Sequence, residues 1–150
     1  MVRTPRSQAA ETIGAARPAW LPTALPWVSA AYTLLLVCAT HYPRPQEIIG
    51  SGPGVPSDKT MHVVAYFLLA GLAAATLAAR GCWTAGRVGW LAVGLVLFAA
   101  VDELTQPFFS RFADRLDWVG DCAGIALGLG AVAVVVMAMT RRARAGGERT

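Results

Sequence analysis

The sequence predicts an all-α membrane protein, a bundle of four transmembrane helices. Of its 150 residues, 55% are hydrophobic and only 15% are charged. The apolar residues are gathered in four blocks of roughly 16–23 residues, and a spanning helix needs roughly 20. The connections between the blocks are short, which leaves no room for a separate soluble domain. Membrane lipids are therefore the expected surroundings of the chain.

Prolines and polar stretches bound the four blocks, which lie at residues 27–42, 61–79, 88–106 and 118–140. Pro22 and Pro26 precede the first block and Pro43 closes it, while Pro107 ends the third, because proline cannot continue a helix. We expect a flexible N-terminal tail at 1–23, a four-helix transmembrane domain at 24–140 and a basic C-terminal tail at 141–150. The polar, arginine-bearing first 20 residues do not resemble a cleaved signal peptide.

The distribution of positive charge predicts the orientation of the bundle. Nine of the 13 Lys and Arg residues lie in the two tails and the second loop, and four lie in the first and third loops. Because positive residues stay on the cytoplasmic side, we expect both termini in the cytoplasm and a multi-pass protein of the cell membrane. This asymmetry also explains the net charge of +4. No basic, aromatic-rich surface exists outside the tails, so we expect no nucleic-acid partner.

The third block is too short for a membrane unless it includes two acids. From Val88 to Val101 it has 14 uncharged residues, about 21 Å of helix, against a hydrocarbon core of about 30 Å. The span is completed by Asp102, Glu103 and Gln106. The negative end of the helix dipole repels carboxylates, so both acids need cations, protonation or a metal. Ionisable groups at this depth mark a functional site, and we expect Glu103 to be the inward-facing acid.

Further polar residues map to the same side of the bundle, at the start of helix two, the end of helix three and the start of helix four. The candidate binding residues are Asp58, Lys59, His62, Glu103, Gln106, Arg111, Asp114, Asp117 and Asp121. Asp58 and His62 are four residues apart and share a helix face, which Tyr66 continues. Arg111 or Arg115 could clamp a buried carboxylate through two hydrogen bonds.

Each of these features also has a simpler explanation. Ser57 or Asp58, and Asp114 or Asp117, suit the N-caps of helices two and four, where a side-chain oxygen accepts from free N–H groups. His62 could be a hydrogen-bonded packing residue.

A glycine stripe runs along the fourth helix. Gly120, Gly124 and Gly128 form a small-xxx-small pattern that lets another helix approach closely. The neighbour could be a helix of the same chain, which would hold the acids of helix four away from lipid. It could also be a second copy, so the stripe allows a homo-oligomer.

These residues, in this order, resemble the VanZ-like family of small membrane proteins. The resemblance runs through Asp58-Lys59-x-x-His62, Glu103-x-x-Gln106, Arg111-x-x-Asp114-x-x-Asp117 and Gly124-x-x-x-Gly128, and covers roughly residues 55–130. One departure is Asp121, since the family usually has Asn four residues after the last motif aspartate. The resemblance implies a multi-spanning protein of the bacterial cell envelope. The family's namesake is associated with low-level resistance to glycopeptide antibiotics of the teicoplanin type.

Three functions follow as hypotheses. In the first, the outward-facing polar site binds an envelope lipid head group or a glycopeptide-related ligand, and the protein alters how the surface interacts with such antibiotics. In the second, the protein is a membrane-embedded hydrolase or transferase acting on a lipid-linked substrate, with His62, Glu103 and Asp121 as catalytic candidates. In the third, the cluster only holds the bundle together. A divalent metal held by His62 and two carboxylates would fit the second hypothesis, but no H-E-x-x-H or comparable signature supports it, so we expect no metal and no cofactor.

Overall fold

The computed structural model describes residues 21–43 and 56–147, and within them the chain is helical without strands. The helices are α1 (Leu21–Thr40), α2 (Asp58–Ala79), α3 (Ala85–Thr105) and α4 (Arg115–Gly147), and a short 3-10 helix (Gln106–Phe109) continues α3. All four long helices are long and apolar enough to cross a membrane. The predicted fold class, an all-α membrane protein with four spanning helices, is confirmed.

All four helices begin before the apolar blocks of the sequence, and α1 and α4 extend furthest beyond them. Helix α1 begins at Leu21, so Pro22 and Pro26 lie inside it and not before it. Pro26 has no N–H to donate to the Pro22 carbonyl, and Arg80 Nε donates to that carbonyl at 3.4 Å. Helix α4 has 33 residues, about 50 Å, so it is longer than a hydrocarbon core of about 30 Å. Residues 141–147 of the expected C-terminal tail are therefore helical.

Parts of the predicted organisation lie outside the described residues. They are residues 1–20 of the expected N-terminal tail, residues 44–55 of the first loop and residues 148–150.

Helix α2 is the centre of the bundle. It packs most extensively against α4 and next against α1, while α3 packs mainly on α4. The buried apolar core lies among these helices and consists of Leu36, Tyr66, Leu69, Ala70, Leu95, Ala99 and Ile125. Many large apolar side chains on the outer faces are exposed, among them Trp27 and Trp90 near the starts of α1 and α3. Such faces suit contact with lipid.

The glycine stripe of α4 faces α2 of the same chain. A Cβ added at Gly124 would collide with the backbone carbonyl oxygen of Val63 and lie 2.9 Å from the backbone nitrogen of Phe67. At Gly128 it would lie 2.5 Å from the Phe67 carbonyl oxygen. The stripe therefore lets α4 pack closely against α2 of the same chain. A homo-oligomer through these glycines stays a prediction.

Candidate functional site

Local capping positions the first residues of the site. Ser57 Oγ accepts a hydrogen bond from the Thr60 N–H at 3.2 Å, so Ser57, and not Asp58, is the N-cap of α2. Asp114 Oδ1 accepts from the Leu116 N–H at 2.9 Å at the start of α4. Both caps satisfy N–H groups that a helix leaves free at its start. Asp58 is thereby left available for a different contact.

Ion pairs form the outer rim of the site. Lys59 Nζ donates to Asp114 Oδ2 at 2.7 Å and to Asp117 Oδ1 at 3.0 Å, which links α2 to α4. Arg111 Nη2 donates to Asp58 Oδ2 at 3.2 Å. The hydrogen bond from Lys59, and next the one from the Leu116 N–H, lower the pKa of Asp114 below its ordinary value. Lys59 and Arg111 are thus already paired with Asp114, Asp117 and Asp58.

Asp102 lies deeper and has hydroxyl partners. Its Oδ1 accepts from Thr40 Oγ1 at 3.0 Å and its Oδ2 accepts from the Tyr66 hydroxyl at 3.1 Å. The His41 Nδ1 lies 3.6 Å from Oδ1, and His41 Nε2 is 2.9 Å from Thr105 Oγ1. No arginine or lysine of the described residues pairs with this acid, and Thr40 at the end of α1 and Tyr66 within α2 supply its donors.

Glu103 also has uncharged donors. Its Oε1 accepts from the backbone N–H of Asp114, and its Oε2 accepts from the Gln106 side-chain amide at 3.1 Å. Asp102 is 3% exposed and Glu103 is 5% exposed. Glu103 faces inward as expected, but Asp102 does so as well. Both are buried, because α1 and α2 cover Asp102 while the loop before α4 covers Glu103.

The innermost pair of the site joins α2 to α4. His62 Nδ1 lies 2.9 Å from Asp121 Oδ1, and both side chains are buried. The second oxygen, Asp121 Oδ2, is buried without a hydrogen-bond partner in the described part of the chain. One ring nitrogen of His62 and one oxygen each of Glu103 and Asp121 lie within 4.8 Å of one another. The sequence places a carboxyl group at position 121, and the structure buries it.

A cavity of about 110 Å³ opens beside this pair, between α1 and α2. It is lined by the apolar side chains of Leu36, Ala39, Met61 and Ala65 and by the polar side chains of Thr40, Asp58, His62, Tyr66 and Arg111. The ion pair between Asp58, at the start of α2, and Arg111 forms its polar end.

Each of the nine predicted binding residues contacts at least one other residue of the set. Contacts join Asp58 to Arg111, Lys59 to Asp114 and Asp117, His62 to Asp121, and Glu103 to Gln106 and Asp114. Arg115 is exposed and makes no ion pair with any described residue. Thr40 and His41, which contact or lie beside Asp102, are not among the residues predicted from the sequence. The signal for them is a polar pair at the end of an apolar block, immediately before Tyr42-Pro43.

Comparison of the chain with protein-family models, with curated proteins and with solved structures gives no match.

Proposed function

We propose that this is a multi-pass protein of the bacterial cell membrane that binds the head group of an envelope lipid in its outward-facing polar site. Both termini would be cytoplasmic, as the positive charges predict. The VanZ-like resemblance supports an envelope location. By holding such a lipid, the protein would alter how the surface interacts with glycopeptide antibiotics.

The observation that carries this proposal is the mixed character of the cavity. Apolar side chains of Leu36, Met61 and Ala65 form its walls, and Arg111 and Asp58 stand at its polar end. An amphiphile needs both surfaces in one place. The volume of about 110 Å³ is below the roughly 300 Å³ of a small drug site. It therefore suits one part of a lipid, the head group or its linkage, with the chains in the membrane.

The charges at the polar end favour a phosphate-bearing head group. Arg111 carries several N–H donors and uses one nitrogen on Asp58, at 3.2 and 3.4 Å from the two carboxylate oxygens. Guanidinium groups bind phosphate through paired hydrogen bonds. The Asp58 side chain is 49% exposed, so water reaches one partner of this ion pair and weakens it, and a phosphate can compete with Asp58 for Arg111. A head group that also carries an ammonium would then offer Asp58 a replacement partner.

Lipid retention tests the proposal. The wild-type protein, Arg111→Gln and Arg115→Gln are purified in a mild detergent, and bound phospholipid is measured by native mass spectrometry. We expect Arg111→Gln to lose most of the retained lipid. Arg115→Gln is the matched control, because Arg115 does not line the cavity, and it should retain lipid like the wild type. Equal retention by all three proteins would refute the proposal.

A second candidate function is hydrolysis or group transfer on a lipid-linked substrate. Its supporting observation is His62, which lines the cavity while Asp121 holds its Nδ1. This arrangement leaves Nε2 for a substrate, as in a general base oriented by a carboxylate. Turnover of envelope lipids by the wild type and by His62→Gln separates the two candidates, since binding alone gives no product.

A further inference from the structure

We propose that His62, Glu103 and Asp121 form a binding site for one divalent transition-metal cation. This inference goes beyond lipid binding and does not depend on it. It also departs from the sequence-based expectation that the protein holds no metal, which rested on the absence of a local signature. The three residues come from α2, α3 and α4, so no short motif could contain them.

The distances among the three side chains suit one ion. One ligand atom from each residue lies within 4.8 Å of the other two. His62 Nδ1 and Asp121 Oδ1 are 2.9 Å apart. Two ligands at right angles, each about 2.1 Å from an ion, are about 3.0 Å apart. In the structure this contact is a hydrogen bond, and an ion bound between the two atoms would replace its proton.

The second oxygen of Asp121 points independently to a missing partner. Asp121 is 0% exposed, and its Oδ2 accepts no hydrogen bond from the described residues. A buried polar atom without a partner costs about 1–3 kcal/mol, so such atoms are rare in folded proteins. A cation held by His62 and Glu103 would lie next to Asp121 and supply that partner.

The charges of the site leave room for a cation. Lys59 is held by Asp114 and Asp117, and no lysine or arginine among the described residues pairs with Glu103 or Asp121. Buried carboxylates need a compensating charge. His62 supplies it to Asp121 only while its ring is protonated, and the donors to Glu103 are uncharged.

The uncharged donors to Glu103 fit a metal ligand. The Asp114 N–H and the Gln106 amide each bond one of its oxygens. Each oxygen has a second lone pair, so both contacts can persist while Glu103 binds an ion. Outer partners of this kind commonly orient the carboxylates of metal sites.

The ligand set favours Mn²⁺ or Zn²⁺. Imidazole nitrogen suits zinc and other transition metals, whereas Mg²⁺ and Ca²⁺ prefer sites built from oxygen. His62 lines the cavity, so an ion could reach the site from there and complete its coordination with water.

A second group, Asp58, His62 and Asp117, also lies close enough to hold an ion. Its acids are already neutralised, Asp58 by Arg111 and Asp117 by Lys59. The buried group is therefore the stronger candidate, and the two groups can be separated because Asp58 belongs to only one of them.

Metal content and coordination test the proposal. The full chain is purified in detergent, stripped with a chelator and dialysed against Mn²⁺ or Zn²⁺, and bound metal is counted by mass spectrometry. We expect about one ion per chain and a loss of affinity of about tenfold or more in Asp121→Asn and Glu103→Gln. Asp58→Asn is the control and should bind like the wild type.

A spectroscopic measurement on the wild type keeps the test decisive even where a variant fails to fold. Pulsed electron paramagnetic resonance of bound Mn²⁺ should detect coupling to an imidazole nitrogen. Wild-type protein without stoichiometric metal, or without that coupling, would overturn the proposal. So would undiminished binding in Asp121→Asn, or loss of binding in Asp58→Asn, which would assign the ion to the outer group.

Discussion

Replacing Gly124 by alanine should destabilise the bundle at the interface that holds the site together. The new Cβ would collide with the carbonyl oxygen of Val63 and lie 2.9 Å from the backbone nitrogen of Phe67. Both atoms belong to the α2 backbone, so no side-chain rotation relieves the contact and the two helices must move apart. Overpacking of this kind costs about 1–3 kcal/mol, and we expect a loss of that size in the free energy of unfolding.

The same helix offers two graded controls. A Cβ at Gly130 meets no atom within 4 Å, and at Gly120 the nearest atom is Val63 Cγ2 at 3.4 Å, an ordinary contact. We expect Gly130→Ala to change the free energy of unfolding by less than about 0.5 kcal/mol, with Gly120→Ala between it and Gly124→Ala. The assay is reversible unfolding in mixed micelles with increasing dodecyl sulfate, followed by circular dichroism.

The displacement should also reach the site. Asp121 precedes Gly124 by less than one turn, and His62 precedes Val63. Moving α4 away from α2 therefore lengthens the hydrogen bond of 2.9 Å between His62 and Asp121. If Gly124→Ala and Gly130→Ala have the same free energy of unfolding, then α2 and α4 do not approach each other as closely as described. The contact between His62 and Asp121 would then also be in error.

Two further predictions concern single polar contacts. Tyr66→Phe removes the hydroxyl that donates to the buried Asp102 at 3.1 Å, and we expect it to lower the free energy of unfolding by about 1–3 kcal/mol. Tyr32→Phe is the control, since its half-buried hydroxyl donates to a neutral carbonyl, and an equal effect would contradict the special role of Asp102. The pKa of Asp114 lies below its ordinary value of 3.8 because of Lys59. The stability that the Asp114–Lys59 ion pair gives the folded protein is therefore fully present above the unfolded-state pKa of Asp114. It is lost as the pH falls through the folded-state pKa. Unfolding measured from about pH 6 down to about pH 3 should show a stability loss below about pH 4 that Asp114→Asn lacks, and an unchanged profile would refute the pairing.

Much of the fold could be predicted because the membrane restricts the possible structures. Four apolar blocks allow few arrangements other than four spanning helices. The shortness of the third block also places Asp102 and Glu103 inside their helix, as the structure confirms. The helix ends were less predictable. Pro22 and Pro26 indicate a boundary by their local chemistry, yet α1 includes both. Pro22 lies in the first turn, where a proline is tolerated, and Arg80, just after the end of α2, donates to the carbonyl that Pro26 leaves free.

Which residues form the site was more predictable from the sequence than which of them contact one another. Topology alone brings the nine polar residues to one end of the bundle. Which donor meets which acid depends on helix rotation, which a sequence does not specify. Arg111 reaches Asp58, not Asp102 or Glu103, because it lies in the loop at the rim and those acids lie one layer deeper. Thr40, from the end of α1, instead donates to Asp102.

The positions of the acids explain why no lysine or arginine of the described residues pairs with Glu103 or Asp121. Lysine and arginine can neutralise Asp58, Asp114 and Asp117 because these acids lie at the helix starts, within reach of the loops. Glu103 and Asp121 lie below them, where a cationic side chain would itself have to be buried at considerable cost. A small ion that enters beside His62 would be buried at a lower cost, because several ligands would share its charge. The short third span and the tight glycine interface thus act together. The short span places Glu103 inside its helix, and the glycine interface holds Asp121 against His62.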